Sequence, residues 1–183
     1  MSISSIIELV EYYRSRLRGL LCGLYPNIKV GKHTLIEPGA KIRCQYGGSI
    51  TIGDNCIVYR YATLLTHGGD IVIGNNCTIN PFTVIYGQGG VHISDYVRIA
   101  AHCSIVPSNH IFEKKDQYIY KQGLSKKGIV IEKDVWLGSG VKVLDGVSIA
   151  EGCVIGANSV VTKTTEPYGI YVGVPSRKIN SRK

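Results

Sequence analysis

An aliphatic residue returns at every sixth position from Ile131 onward without a slip: Ile131, Leu137, Val143, Ile149, Ile155 and Val161. Upstream the same spacing comes in sets of three: Val30, Ile36, Ile42; Ile52, Val58, Leu64; Ile73, Ile79, Ile85; and Ile93, Ile99, Ile105. Four, three and two extra residues separate these successive sets. The pattern predicts a solenoid in which three hexapeptides make one triangular coil of 18 residues, with insertions leaving from one corner. It counts six coils, and each coil edge is a short strand paired in parallel with the coils above and below it.

The cysteines test that register separately. Cys56, Cys77, Cys103 and Cys153 each stand four places after an aliphatic position, and the equivalent places hold Thr34, Ala40, Ala62, Thr83, Val97, Val135, Val141, Val147 and Ser159. A slot restricted to small side chains faces a tight interior, so cysteine there serves as a small hydrophobe rather than a disulfide partner or metal ligand. Cys22 and Cys44 fall outside the slot and stay unassigned.

Ahead of the repeat, Ile6, Val10, Tyr13, Leu17 and Leu20 recur at helical spacing among Glu8, Glu11, Arg14, Arg16 and Arg18. This predicts an amphipathic helix within a cap of residues 1–27, its apolar face packed on its own fold or on a subunit neighbour. Weak peripheral contact with a membrane surface is the alternative. No segment is long and apolar enough to span a bilayer, and no signal-peptide order is present, so cytoplasmic residence is expected. Residues 28–166 form the expected solenoid and 167–183 a C-terminal cap with a basic tail.

Between Ile105 and Ile131 the register pauses for 20 extra residues, predicting a long loop over 111–128 that leaves from a coil corner. That loop begins beside His110 and carries Tyr118, Tyr120 and five lysines. The composition agrees with a repeat: 22 glycines against 6 prolines, 2 phenylalanines and 1 tryptophan. A net charge of +8 suits an anionic partner such as a phosphorylated cofactor. No run interleaves basic residues with stacking aromatics, and a nucleic-acid partner is not expected.

The hexapeptides, the His110 loop, VWLGSGV at 135–141, VIGANSVVTK at 154–163 and GVPSRKI at 173–179 together resemble the hexapeptide-repeat acyltransferases. Within them the chain is most similar to the O-acetyltransferases of the galactoside, maltose and polysaccharide type. The resemblance covers roughly residues 28–180. It implies an all-β, left-handed parallel β-helix, assembled as a homotrimer that binds acetyl-CoA between subunits and passes the acetyl group directly to an acceptor hydroxyl. A hydroxyl is a poor nucleophile at neutral pH, and histidine has a suitable pKa to take its proton. The resemblance puts that general base at His110, which ends the last hexapeptide before the loop, 26 residues ahead of Trp136.

It further implies Asn80 beside the reacting centre, one coil above the base, and Ser139 and Ala157 flanking the pantetheine arm of acetyl-CoA. Thr162, Lys163 and Arg177 match positions near its nucleotide end, with Trp136 packed beside the cofactor at the subunit interface. Where the family carries a carboxylate that contacts the sugar, this chain has Gln88, which leaves the acceptor open. His102 and His67 are weaker candidates for acceptor contact, Tyr118 reaches over a neighbour's cleft, and His33 and His92 are read as structural. No metal is expected.

A serine acetyltransferase would usually add a larger helical domain, and a nucleotide-sugar N-acetyltransferase often adds a nucleotide-binding domain. Elimination therefore favours a sugar hydroxyl, on a polysaccharide repeat unit or its lipid-linked precursor. Remoter rivals are a zinc carbonic anhydrase on the same fold, which needs three histidine ligands across an interface, and a non-catalytic scaffold.

Overall fold

The computed structural model describes residues 3–183. Helix α1 (Ile3–Cys22) is followed by six coils of three short strands. Coil 1 comprises Ile28–Val30, Leu35–Ile36 and Lys41–Arg43; coil 4 comprises Val91–Ile93, Arg98–Ile99 and Ser104–Ile105; coil 5 resumes with Ile129–Ile131, Trp136–Leu137 and Lys142–Val143. First strands stack on one face (A), second strands on the next (B) and third strands on the last (C). The result is a parallel β-solenoid consistent with the left-handed β-helix.

The aliphatic period becomes three ladders. On face B, Ile36, Val58, Ile79, Ile99, Leu137 and Ile155 pair one above another in register, all of them fully buried. Each such side chain contributes about 1.5–3 kcal/mol by leaving water. Every residue of the small-side-chain slot is buried as well. Its cysteines do more than fill space, because Cys56, Cys77 and Cys103 donate to the Gly74, Ser94 and Gly138 carbonyls of the next coil at 3.1, 3.2 and 3.3 Å. Thr34 and Thr83 do the same to Gly53 and Ala100 at 2.7 and 2.9 Å. Small size is what the slot selects, since alanine and valine fill it as well as the donors do. All six cysteines are free.

Corners turn through single residues in the left-handed region: His33, Asn55, Asn76, Tyr96 and Asp134 between faces A and B, and Tyr61, Phe82, His102 and Asn158 between B and C. Asparagine, aspartate and glycine accept that conformation most readily; the aromatics between B and C recover its cost by stacking. Tyr61 lies on Phe82 at 5.3 Å and Phe82 on His102 at 5.0 Å, both nearly parallel. Every insertion, the long one included, leaves from the C-to-A corner. The excursion is braced rather than free, because Asn109–His110 pairs antiparallel with Leu124–Ser125.

At the C-terminal end, Gly169–Gly173 adds to face B beside coil 6 and turns back into Ser176–Ser181. The segment GVPSRKI supplies its turn and the start of its return strand. At the other end α1 packs on Ile28–Val30 and Leu35–Ile36, but through the face opposite to the one expected. Ser15 is buried and Gly19 lies so close that a Cβ there would sit 3.1 Å from the Thr34 carbonyl oxygen. Close approach selects small residues, so Ile6, Val10, Tyr13, Leu17 and Leu20 point away from the solenoid and are exposed. The expectation that the apolar face packs on the chain's own fold is corrected accordingly.

Candidate active site

His110 sits on the rigid root of the excursion, opposite Leu124 in the short antiparallel pair, with its side chain exposed. Three contacts hold that root. Ser108, buried, donates to Gln88 Oε1 at 2.8 Å, tying the excursion to the corner of the preceding coil. Asp145 accepts from the Ser125 hydroxyl at 2.7 Å and from the backbone N–H groups of Lys127 and Gly128 at 2.8 and 3.1 Å. Farther out, Gln122 spans the loop by donating to the Lys114 and Gln117 carbonyls, each at 2.8 Å. Tyr118 and Tyr120 stack at the exposed tip under Lys121. Proton transfer rewards this kind of fixed placement, since reach and angle decide it before pKa does.

Nothing in the sequence singles out Ser108 and Asp145. Asp145 stands in the turn LDGV, where an aspartate reads as a turn residue; its partners lie 17 to 20 positions earlier. Gln88 is a brace here, its carbonyl oxygen engaged by Ser108. His67, also at this corner, is half-buried between Tyr46 and Tyr86 at 6.3 and 4.8 Å, an environment that holds a ring in place. His33 turns a corner and His92 faces outward from face A.

Asn80, His102, Ser139 and Ala157 all lie at the B-to-C corner. Asn80 is one coil from the level of His110, as expected, but one side of the triangle away, roughly 15–20 Å at ~3.3 Å per residue. Its side-chain amide donates to the Ile99 carbonyl at 2.8 Å. His102 is exposed at the end of the aromatic stack. Ser139 and Ala157 occupy the same place in successive coils, both exposed, and Ser139 caps the Ala101 carbonyl at 2.9 Å. Beside them the backbones nearly touch, since a Cβ on Gly138 would sit 2.7 Å from the Ala157 nitrogen. At coils 5 and 6 this corner therefore presents only small side chains.

From Ala157 the last strand of coil 6 leads to Thr162 and Lys163. Lys163, Arg177 and Lys178 line one open cleft of about 260 Å³ with Thr164, Tyr171 and Ser176. No acid lines it; Glu166 pairs with Lys178 at 2.6 Å from outside, while Lys163 and Arg177 form no ion pair among the described residues. The Lys178 ammonium holds the Glu166 carboxyl below its ordinary range, and Glu166 raises Lys178 in return. Trp136 stands half-exposed on face B between Arg98 and Val154. Burial pushes the Cys103 thiol up, and the hydrogen bond between Cys56 and Cys77 pulls Cys56 down and, with burial, pushes Cys77 up; all three are buried in the slot, away from any surface a substrate could reach. Among the described residues no group of three His, Cys, Asp or Glu side chains gathers as a metal site.

A family model described as bacterial transferase hexapeptide (six repeats) matches residues 128–163. The dTDP-4-amino-4,6-dideoxy-D-glucose acyltransferase of Escherichia coli is 31% identical over 162 residues, covering 84% of this chain and 81% of that protein. The chain belongs to the hexapeptide-repeat acyltransferases. Other curated relatives match it over a shorter part: a probable acetyltransferase of Mycobacterium tuberculosis is 34% identical over 93 residues, 51% of this chain and 31% of its own length. The chain thus spans about a third or less of the first such relatives.

Among solved structures, a single-residue variant of AntD, an N-acyltransferase from Bacillus cereus in complex with dTDP-4-amino-4,6-dideoxyglucose and coenzyme A, superposes with a TM-score of 0.77 at 27% identity. That likeness covers 93% of this chain and 89% of AntD. A maltose O-acetyltransferase from Clostridium difficile shares the fold, with a TM-score of 0.58 at 22% identity over 96% of this chain and 88% of that one. AntD binds its nucleotide sugar with a chain of nearly this extent. Such an acceptor therefore does not require a separate nucleotide-binding domain, and the elimination that favoured a sugar hydroxyl loses its premise.

Proposed function

We propose that this chain is an acyltransferase that moves an acyl group, acetyl in the simplest case, from a coenzyme A thioester directly to a sugar. The acceptor favoured by the relatives that cover most of the chain is an amino group on a nucleotide-linked deoxy sugar. The observation that carries this reading is the match to the Escherichia coli dTDP-4-amino-4,6-dideoxy-D-glucose acyltransferase along most of both chains. The AntD complex, with coenzyme A and an amino-sugar nucleotide held together on the same fold, supports it.

In the reaction the acceptor nitrogen attacks the thioester carbonyl carbon, the C–S bond breaks, and coenzyme A leaves as its thiolate. The acceptor loses one proton and the thiolate gains one. His110 is the group proposed to take the proton, on a root fixed by Ser125, Asp145 and Ser108. Lys163 and Arg177 pair with phosphates of coenzyme A, and Ser139 and Ala157 let its pantetheine arm lie close to the corner, where a bulkier residue would lift it away. Because the His110 corner and the Ala157 corner are separated within one chain, the site is completed by a second copy, as in a homotrimer with sites between subunits. Trp136 lies at that seam. Cytoplasmic residence, where acyl-coenzyme A and nucleotide sugars are made, goes with this reading.

A sugar hydroxyl is the second reading. It is favoured by His110 itself, since a hydroxyl needs a positioned base more than an amine does. The test is thiol release from acetyl-CoA with dTDP-4-amino-4,6-dideoxyglucose, with the same nucleotide sugar bearing a hydroxyl at that carbon, and with simple sugars. Release with the amine alone supports the first reading. Release with a hydroxyl acceptor alone replaces it by the second.

A further inference from the structure

The face of α1 that the solenoid leaves uncovered is unbroken. Ile6, Val10, Tyr13, Leu17 and Leu20 follow one another at steps of three and four, each between 48% and 67% exposed, and Leu24 just past the helix end is 79% exposed. Ile7, Leu9 and Leu21, also exposed, widen the stripe to about 160° at ~100° per residue, more than the narrow seam of a two-helix contact. Its area is on the order of several hundred Å², above what a soluble surface ordinarily leaves bare. At 20 residues the helix is not apolar enough to cross a membrane.

Charge surrounds the stripe. Arg14, paired with Glu11 at 2.8 Å, and Arg16 stand on its two borders, and residues 1–45 hold seven Lys and Arg against three Glu, a net +4 out of the chain's +8. Alongside the end of α1 a cleft of about 660 Å³ opens at the uncovered strand Lys41–Arg43, lined by Arg18, Lys41 and Arg43 with Tyr25, Ile28 and Ile42 and by no acid. The Arg18 Nε atom is buried there without a hydrogen-bond partner.

We infer that the outward face of α1 is a docking surface for an anionic lipid bilayer, with the helix lying in the headgroup plane and the Arg18–Lys41–Arg43 cleft receiving a headgroup phosphate. Two observations select this occupant over a second copy of the chain. A two-fold contact between copies would bring the same net +4 end against itself, whereas an anionic surface neutralises it. The stripe also has the breadth of a helix half-immersed in lipid, with Tyr13 on it and Tyr25 in the neighbouring cleft, whose polar tips suit the interface. The solenoid does not need the stripe for its own packing, because it grips the helix through Ser15 and Gly19.

The experiment is co-sedimentation of the protein with phosphatidylcholine vesicles, with and without phosphatidylglycerol. The wild type is expected to partition onto the phosphatidylglycerol vesicles and only weakly onto the neutral ones, with binding falling as salt rises. The double variant Leu17→Glu/Leu20→Glu should lose at least about tenfold in partitioning while keeping its circular dichroism, its sedimentation coefficient and its coenzyme A binding. Arg14→Gln/Arg16→Gln should weaken anionic binding about fivefold for each charge removed, which keeps the test open if the glutamates disturb the helix. No binding to phosphatidylglycerol vesicles overturns the inference. So does binding indifferent to both variants, or a drop in oligomeric mass in the glutamate variant, which would assign the face to a second copy.

Discussion

Replacing both Lys163 and Arg177 by alanine removes two of the three cations around the C-terminal cleft of about 260 Å³. Lys178 stays, engaged by Glu166 at 2.6 Å. A phosphate about 4 Å from a unit charge gains about 1 kcal/mol in water and about 4 kcal/mol at the effective dielectric near a protein surface. Both side chains are exposed, which places each near the lower figure, about 1–1.5 kcal/mol, or roughly a five- to twelvefold change in affinity. The two lie in one cleft and share a ligand, so their effects need not add; the double variant should weaken coenzyme A binding by about 20- to 100-fold. Isothermal titration with coenzyme A at low and moderate salt reads this directly, the wild type losing more affinity with salt than the variant because it has more charge to screen. Turnover at saturating acetyl-CoA should fall little. An unchanged dissociation constant with a collapsed turnover would refute the assignment of this cleft to the nucleotide end and place these cations at the reaction instead.

Three further outcomes follow from the geometry. His110→Ala should lower turnover by about 10²- to 10⁴-fold with coenzyme A affinity preserved; Asp145→Ala, which frees the return strand from its brace, should lower turnover less and leave that affinity unchanged as well, both measured by thiol release. Native thiol labelling followed by mass spectrometry should modify Cys22 and Cys44, which are partly exposed, and spare Cys56, Cys77, Cys103 and Cys153 until the protein unfolds; labelling of Cys103 in the folded state would contradict the slot. The Glu166–Lys178 pair should steady the C-terminal hairpin between two limits. Glu166 is depressed in the folded state, so its contribution is full above the ordinary carboxylate pKa and is lost as pH falls through the folded value. Lys178 is raised, so its contribution is full below the ordinary lysine pKa and is lost as pH rises through the folded value. Hydrogen exchange of the hairpin amides against pH reads both limbs, and Glu166→Gln should flatten them.

What the sequence made legible follows from what a period can encode. The sixfold return of Ile36, Val58, Ile79, Ile99, Leu137 and Ile155 specifies the ladder, because parallel in-register stacking puts like positions on like positions. The slot residues add a second set in phase with the first, and the set-of-three insertions mark one corner. Periodicity also reveals the stripe on α1, yet not which face meets the solenoid; that is settled by how closely Gly19 and Ser15 allow the backbones to approach. The placing of Asn80 and His110 at different corners is lost for a similar reason, since counting coils gives height along the axis and not angle around it. Asp145 and Ser108 act on residues about a coil away through side-chain hydrogen bonds, which leave no mark on local composition. Tyr61 and Phe82 hold left-handed corner positions that favour glycine or asparagine, and only the stack they form accounts for their presence. Chain length, finally, is no guide to the acceptor, because AntD holds a nucleotide sugar on a chain of nearly the same extent.

Direct acyl transfer to a sugar amine is the central claim, and one assay addresses it most directly. Purified protein incubated with acetyl-CoA and dTDP-4-amino-4,6-dideoxyglucose should release one coenzyme A thiol for each N-acetylated nucleotide sugar found by mass spectrometry, with no release when either substrate is omitted. Failure to release thiol above the acceptor-free rate, with no acetylated nucleotide sugar formed, would contradict it.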